Sequence, residues 1–422
     1  MFIKMPKLLQ INPVIRRNTS TGKIMLEIGE LAISRGWESW VAYSRGRDGV
    51  PGPESASALK GSKLLPVGSR LSVALHGLET RLLDRHGLGS RLATKRFVKA
   101  IKRLDPDVIH IHNIHGYFLN YKILFRYLAE CGKPVIWTVH DCWLYTGHCY
   151  YYSAAKCFKW KTGCKDCCQR REFPTSWFID RSAANYRDKS ESFNSIPKDK
   201  LTIVPVSEWM GNELKASFLG KCNIQVIHNG IDTDTFAPQD SAGIRSRYGI
   251  GDRKVILGLA SIWMKEKGFD DFVELSSMLS KDEVIVMVGR MTEEQKRRLP
   301  EGIVTIGRTD NVQQLAALYS AAVAFVNPTW QDNYPTVNLE AMACGTPVIT
   351  YRTGGSIEAV SEDTGFVVEQ GDVRGLLECV RKIEERGKEC FSGKCRERAL
   401  KNFRKQDRYE DYMKLYDNCL KK

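Results

Sequence analysis

Short apolar runs alternate along the chain with longer stretches in which apolar residues recur every three or four positions. Leu8–Asn12, Trp40–Tyr43, Val108–His112, Val135–Val139 and Thr202–Val206 read as buried strands of the first half. Val255–Ala260, Val284–Val288, Ile303–Ile306, Val323–Val326, Val348–Thr350 and Gly365–Val368 read as strands of the second. Between them, Ile24, Ile28 and Leu31 share a helical face that Gly36 closes. Ala93, Phe97, Ala100, Ile101 and Leu104 form a second stripe, and Leu315, Leu318, Tyr319 and Ala322 a third. Phe173–Phe193 is predicted to be an amphipathic helix carrying Arg181, Arg187 and Lys189, suited to a membrane surface or an acceptor, or simply to covering the core. Residues 374–403 are predicted helical and charged. Residues 46–70, rich in Gly, Pro and Ser, read as a loop. This alternation predicts the α/β class with parallel sheets. At 422 residues the chain exceeds one ordinary core, so two domains are expected.

One stretch concentrates the chemistry. After Val323–Val326 come Asn327-Pro328-Thr329-Trp330-Gln331-Asp332-Asn333-Tyr334-Pro335-Thr336, then a helix that Gly345 and Pro347 end, a strand, and Thr353-Gly354-Gly355 opening another helix. Asp332 lies in the loop before the first helix and Glu340 just over one turn inside it. Free N–H groups at a helix start suit a phosphate, and carboxylates suit sugar hydroxyls. The combination points to a sugar–phosphate ligand at one edge of a parallel sheet; the competing reading is a plain βαβ unit with capped helices and two surface acids.

Asp332-x7-Glu340-Ala341-Met342-Ala343-x-Gly345-Thr346-Pro347-Val348, followed by Gly354-Gly355 and Glu358, resembles the acidic motif of retaining glycosyltransferases of family 4. That motif is usually Glu-x7-Glu; here Asp332 is one methylene shorter. The resemblance covers nearly the whole chain. It implies the GT-B fold, two Rossmann-like parallel-sheet domains facing across a cleft. The first, 1–236, would lie on the acceptor side. The second, 237–403, would hold the nucleotide sugar. An aromatic-rich helix in 404–422, with Tyr409, Tyr412, Met413, Leu415 and Tyr416, would cross back to the first. Asn229-Gly230-Ile231-Asp232 matches the family's phrase at the domain crossing.

The same resemblance implies roles. Glu340 would hold the ribose hydroxyls and Asp332 the sugar hydroxyls, with Asn333 and Thr336 beside them. Lys267, followed by Gly268, would neutralise the leaving diphosphate, with Gly22 against it. Arg308 follows the strand where the family holds the base. His140, after its strand, would orient donor and acceptor; the competing reading is a loop histidine bonded to Asp141. His110, His112 and His115 would line or pack the cleft wall. The family's arginine partner of the lysine is Ser261 here. Its charge is expected from Lys265, from Arg308 or from Arg352. Transfer is expected to be metal-independent and to retain the anomeric configuration.

Six of the 13 cysteines crowd between Cys142 and Cys168. Cys149, Cys157, Cys164 and Cys167 offer the ligand count of a closed structural zinc site, with His148 as a substitute. The alternative is a loop of reduced thiols. A similar cysteine-bearing insert, with the Thr-Gly-His-Cys and Lys-Trp-Lys-Thr-Gly-Cys phrases, marks a bacterial polysaccharide-biosynthesis subgroup of the family.

The formal net charge is +14, yet no nucleic-acid-binding signature is present. A nucleotide-sugar donor, more readily UDP- than GDP-linked, and a saccharide or polyprenyl-linked saccharide acceptor are the expected partners. Peripheral contact with the inner membrane fits the charge. No run of 18 apolar residues and no signal-peptide core is present, which predicts a cytoplasmic protein. The absence of Gly-x-Gly-x-x-Gly after the first strand disfavours a dinucleotide enzyme. A nucleotide-sugar epimerase and a non-catalytic zinc-bearing polyanion-binding protein are the competing classes.

Overall fold

Every strand pairs parallel with its neighbours, as continuous apolar runs buried on both faces require. The computed structural model describes residues 5–17, 19–44 and 61–421. They form two units: one reaches to Ile227 and takes in the tail from Tyr409, the other runs His228–Arg408.

The first unit holds a seven-stranded sheet, ordered β3-β2-β1-β4-β5-β6-β7. Its strands are β1 (Lys7–Ile11), β2 (Glu38–Tyr43), β3 (Lys63–Pro66), β4 (Val108–Ile111), β5 (Val135–Val139), β6 (Leu201–Pro205) and β7 (Asn223–Ile224). Its helices are α1 (Ser20–Ser34), α2 (Arg70–Leu83), α3 (Arg91–Leu104), α4 (Tyr121–Glu130), α5 (Ser182–Phe193) and α6 (Glu208–Lys215). One face of the sheet packs Leu9, Ile109 and Trp137 against Phe97, Phe125 and Phe193. The other packs Leu8, Val108, Ile136 and Val204 against Ile24, Ile28 and the tail residues Tyr412, Met413 and Tyr416. The tail is fastened by polar bonds as well. Tyr416 Oη lies 2.6 Å from His110 Nδ1, and Thr138 donates to Tyr412 Oη at 3.0 Å.

The second unit holds a six-stranded sheet, ordered β10-β9-β8-β11-β12-β13. Its strands are β8 (Lys254–Ile262), β9 (Glu283–Arg290), β10 (Ile303–Ile306), β11 (Ala322–Asn327), β12 (Val348–Tyr351) and β13 (Gly365–Val368). Its helices are α7 (Ala242–Arg247), α8 (Phe269–Ser276), α9 (Glu293–Arg297), α10 (Val312–Ala321), α11 (Thr336–Ala343), α12 (Val373–Arg386) and α13 (Glu389–Asn402). The last helix, α14 (Lys405–Leu420), starts in this unit and continues as the tail of the first.

Four local expectations are corrected. Residues 63–66 of the expected loop form edge strand β3, half exposed and therefore without a buried run; 46–60 lie outside the described residues. The helix expected from Phe173 begins only at Ser182, whose N–H donates to Asp180 Oδ1 at 2.8 Å. Pro174 cannot supply a helical N–H, and Lys189 of that helix is buried rather than facing a surface. Gly387, at φ 80°, breaks the helix expected over 374–403 into α12 and α13. Pro335 is the N-cap of α11 and not its first helical residue. Among the described residues no helix is long and apolar enough to cross a membrane.

Candidate active site

In the second unit the parallel sheet sends the segments after β8, β10, β11 and β12 to one edge, where open α/β sheets gather ligands. Lys265–Lys267 forms a single 3-10 turn after β8. Pro328 to Pro335 follows β11 and leads into α11. The two segments are locked together. The N–H of Trp330 donates to Glu266 O at 2.9 Å, and Thr329 Oγ1 to the same carbonyl at 3.2 Å. Trp330 Nε1 donates to Asp271 Oδ2 on α8 at 3.0 Å. Gly268 sits between them at φ 77°; a Cβ there would come within 2.5 Å of Pro328.

This lock brings Lys267 Nζ to 2.7 Å from Asp332 Oδ2, both half-buried. Glu340 stands one turn inside α11, and Tyr319 donates to its Oε2 at 3.1 Å. A buried ladder fixes α11: Asn327 Nδ2 donates to Asn338 Oδ1 at 2.8 Å, and Asn338 Nδ2 to Ser356 Oγ at 3.0 Å. Ser356 belongs to the 3-10 turn Gly354–Ala359. No side chain caps the N-terminus of α11, where Thr336 is the first residue. Asn333 is buried beside it.

The other expected donor residues are more scattered. Ser261 is exposed near the end of β8, and Lys265 and Arg308 are exposed after β8 and β10. Arg352 pairs with Glu369 at 2.6 Å, so its charge is engaged there. Gly22 lies in the first turn of α1, not in the loop before it. It is buried, and a Cβ would meet Arg16 O and Thr19 Oγ1 at 2.5 Å, so the turn of its own chain demands the glycine. Sequence reasoning missed His228, whose Nε2 lies 3.1 Å from Glu358 Oε2 and whose ring stands 4.9 Å from Tyr334. The Asn-Gly phrase beside His228 was the available signal.

In the first unit, His140 follows β5 and stacks on His112, with rings 5.7 Å apart and Nε2 3.4 Å from His112 Nδ1. His112 Nε2 meets Gln10 Oε1 at 3.1 Å. Asp141 turns the other way, bonding His115 Nε2 at 2.7 Å and accepting the N–H of Trp143 at 2.9 Å. Burial pushes His140 down to about 4, against the charge of Asp141, so the imidazole is neutral near pH 7. It can then exchange hydrogen bonds with hydroxyls but brings no positive charge. Burial likewise lowers His110 to about 3 and His112 well below its ordinary value. Those two are core residues, and His115 is held between Asp141 and Tyr150.

The cysteine insert packs on the same unit. Lys189 of α5 is buried, with Nζ 3.6 Å from the Trp143 ring centroid, and donates to Trp143 O at 2.6 Å and Thr146 O at 3.0 Å. Cys149, Cys157, Cys164 and Cys167 line one cavity of about 20 Å³ with His148. Cys164 Sγ accepts the N–H of Gly147 at 3.1 Å. Among the described residues, however, no three His, Cys, Asp or Glu side chains are gathered closely enough to hold a metal ion as they stand. His148 is committed to Asp84, 2.7 Å away.

Comparison with known proteins adds to this geometry. The family model described as "Glycosyltransferase Family 4" matches residues 22–235, and that described as "Glycosyl transferases group 1" matches 253–385. WcaC of Escherichia coli (strain K12), assigned by name to colanic acid biosynthesis as a glycosyl transferase, is 24% identical over 97% of this chain and 99% of its own. The capsular polysaccharide biosynthesis glycosyltransferase CapM of Staphylococcus aureus is 25% identical over 52% of this chain and 62% of its own. Among solved structures, a glycosyltransferase from Rickettsia africae ESF-5 superposes with a TM-score of 0.70 at 16% identity, covering 99% of this chain and 100% of its own. Anabaena Alr3699/HepE in complex with UDP does so at 0.70 and 14%, covering 98% and 100%. Such likenesses establish the fold as GT-B, with two Rossmann-like domains.

Proposed function

The chain belongs to glycosyltransferase family 4, and on that premise we propose that it moves a sugar from a UDP-linked donor to a saccharide or lipid-linked saccharide. The product would enter a cell-surface polysaccharide. The observation that carries this reading is the pairing of Lys267 with Asp332 at 2.7 Å beside the uncapped start of α11. A cation, a carboxylate and helix N–H groups are the three kinds of group that a sugar diphosphate takes, which supports the reading. The names of the colanic acid and capsular relatives support the polysaccharide setting, and the UDP complex of the Anabaena protein supports the nucleotide.

In this reading Glu340 holds the ribose hydroxyls and Asp332 those of the sugar. Lys267 neutralises charge on the departing diphosphate. His140, neutral, orients donor and acceptor by hydrogen bonds. The bond from the anomeric carbon to the phosphate oxygen breaks while the acceptor oxygen bonds to the same face, so configuration is retained. The leaving phosphate oxygen takes the acceptor proton. Replacing Glu340 by Ala should lower turnover of the nucleotide sugar by at least about tenfold, roughly 1.4 kcal/mol of barrier; unchanged turnover overturns the assignment.

For the insert we propose a structural role, with zinc bound when the four thiols lining the shared cavity close on it. Four thiolates would fill the coordination sphere and leave no open position, so the ion would take no part in transfer.

A further inference from the structure

A neutral imidazole carries one proton, and the groups its two nitrogens meet decide which of them holds it. The contacts behind His140 make that assignment from one end. They start at Gln10 of β1, which is fully buried. Gln10 Nε2 donates to Met25 O of α1 at 3.0 Å. A carbonyl only accepts, so the amide is fixed with its nitrogen towards α1. Gln10 Oε1 then faces His112 Nε2, 3.1 Å away. An amide oxygen only accepts as well, so His112 holds its proton on Nε2.

Burial keeps the His112 ring neutral, so its Nδ1 is an acceptor. His140 Nε2 lies 3.4 Å from that nitrogen. Two unprotonated nitrogens would repel there, so His140 holds its proton on Nε2 and donates it to His112. His140 is neutral for the same reason, which makes Nδ1 the acceptor of its ring. A carboxylate against Nδ1 would draw the proton to that side. The neighbouring carboxylate, Asp141, is engaged elsewhere: Oδ2 lies 2.7 Å from His115 Nε2, and Oδ1 accepts the N–H of Trp143 at 2.9 Å.

We infer that Gln10 and His112 are positioning residues, which hold His140 in the tautomer that meets substrate with an acceptor nitrogen, Nδ1. A group that meets an acceptor must donate. A sugar hydroxyl does so, and a diphosphate oxygen does not. The relay from Gln10 thus assigns His140 to a sugar hydroxyl and not to the leaving diphosphate. The opposite tautomer, with its proton on Nδ1, would reverse that preference. Residues buried well inside the sheet thereby set the sense of a hydrogen bond at its edge. The role towards sugar rests on the glycosyl-transfer reading above; the tautomers do not.

The test is nitrogen-15 NMR of the full chain labelled at histidine, in which protonated and unprotonated ring nitrogens give well-separated signals. Signals lost in His140→Asn and in His112→Asn identify the two rings. Near pH 7 both should show a protonated Nε2 and an unprotonated Nδ1, and added UDP should leave them so. Gln10→Leu removes the acceptor at the start of the relay. Both rings should then exchange between tautomers, and kcat/KM should fall by at least about tenfold. A cooperative thermal transition, with the same UDP stabilisation as the parent protein, shows that the variant folds. A loss confined to the nucleotide sugar places the hydroxyl on the donor, and one confined to the saccharide places it on the acceptor. A proton on Nδ1 of either ring in the parent protein overturns the inference, as does one that moves to Nδ1 of His140 when UDP is added. So do tautomers or turnover that ignore Gln10→Leu. A parent protein without any turnover defeats the transfer reading instead, and the spectra still decide the tautomers.

Discussion

Lys267 and Asp332 come from segments after two different strands, β8 and β11, and meet at 2.7 Å. Their approach depends on the backbone lock between Glu266 and Thr329–Trp330, not on the pair alone. Without ligand each neutralises the other; a bound diphosphate offers Lys267 a second anion and leaves Asp332 free for hydroxyls. Lys267→Ala should therefore weaken nucleoside diphosphate binding by about tenfold or more, since a charge-assisted contact is lost. Asp332→Asn should leave diphosphate binding in place and lower transfer. Titrating UDP into each variant by calorimetry, beside an assay of turnover, separates the two effects.

Gly268 is the hinge point of that lock. At φ 77° and with Pro328 where a Cβ would go, Gly268→Ala should cost about 1–3 kcal/mol of stability. It should also loosen the lysine turn and raise the dissociation constant for UDP. Urea denaturation and UDP titration of the same variant check both parts.

Acid should unfold the first unit early. His76 and His140 are pushed down to about 4 and His110 to about 3, in each case chiefly by burial. A histidine depressed in the folded state binds its proton more readily when unfolded. Its stabilisation is thus complete above the unfolded value of about 6.5 and is lost as pH falls through that value towards 4. Fully developed, the shift represents on the order of 3 kcal/mol for His76 and on the order of 5 kcal/mol for His110. Glu213, raised to about 6 by burial, works in the opposite sense and gains stability below pH 6. One carboxylate against three histidines leaves a net loss. Denaturation midpoints measured from pH 7 to pH 4 should fall steadily, and flat midpoints would contradict the burial of these rings.

The cysteine insert is predicted to come with about one zinc per chain when the protein is purified without chelator. Cys164→Ser and Cys167→Ser should each lose it and lower the melting temperature, leaving UDP binding intact. Metal analysis of the purified chain decides this directly. Metal-free protein of unchanged stability means the thiols serve only as packing, where burial already raises Cys149 and Cys167 to about 12.

The sheets were legible in the sequence because a strand buried on both faces must be a continuous apolar run, as at Val135–Val139 and Val284–Val288. The acid motif stood out only through its resemblance to the family's Glu-x7-Glu phrase; the structure shows Asp332 in the loop before α11 and Glu340 within that helix. Edge strand β3 was not legible, since Lys63–Pro66 needs no apolar run. The orientation of α2 was not either: its leucine stripe has the period of a core helix, and only the fold shows that His76 and Thr80 take the inner face. The Lys267–Asp332 contact joins residues 65 positions apart, which no local pattern reports. Lys189 misled for a related reason. A basic residue on a helix reads as surface, whereas Trp143 and two carbonyls bury this one.

The central claim is a nucleoside diphosphate site built on Lys267, and its most direct test is thermal stabilisation of the purified chain by UDP and by GDP, with Lys267→Ala alongside. UDP should raise the melting temperature of the parent protein in a concentration-dependent way, and the shift should largely vanish in the variant. No shift with either nucleotide, or an equal shift in Lys267→Ala, would contradict the account.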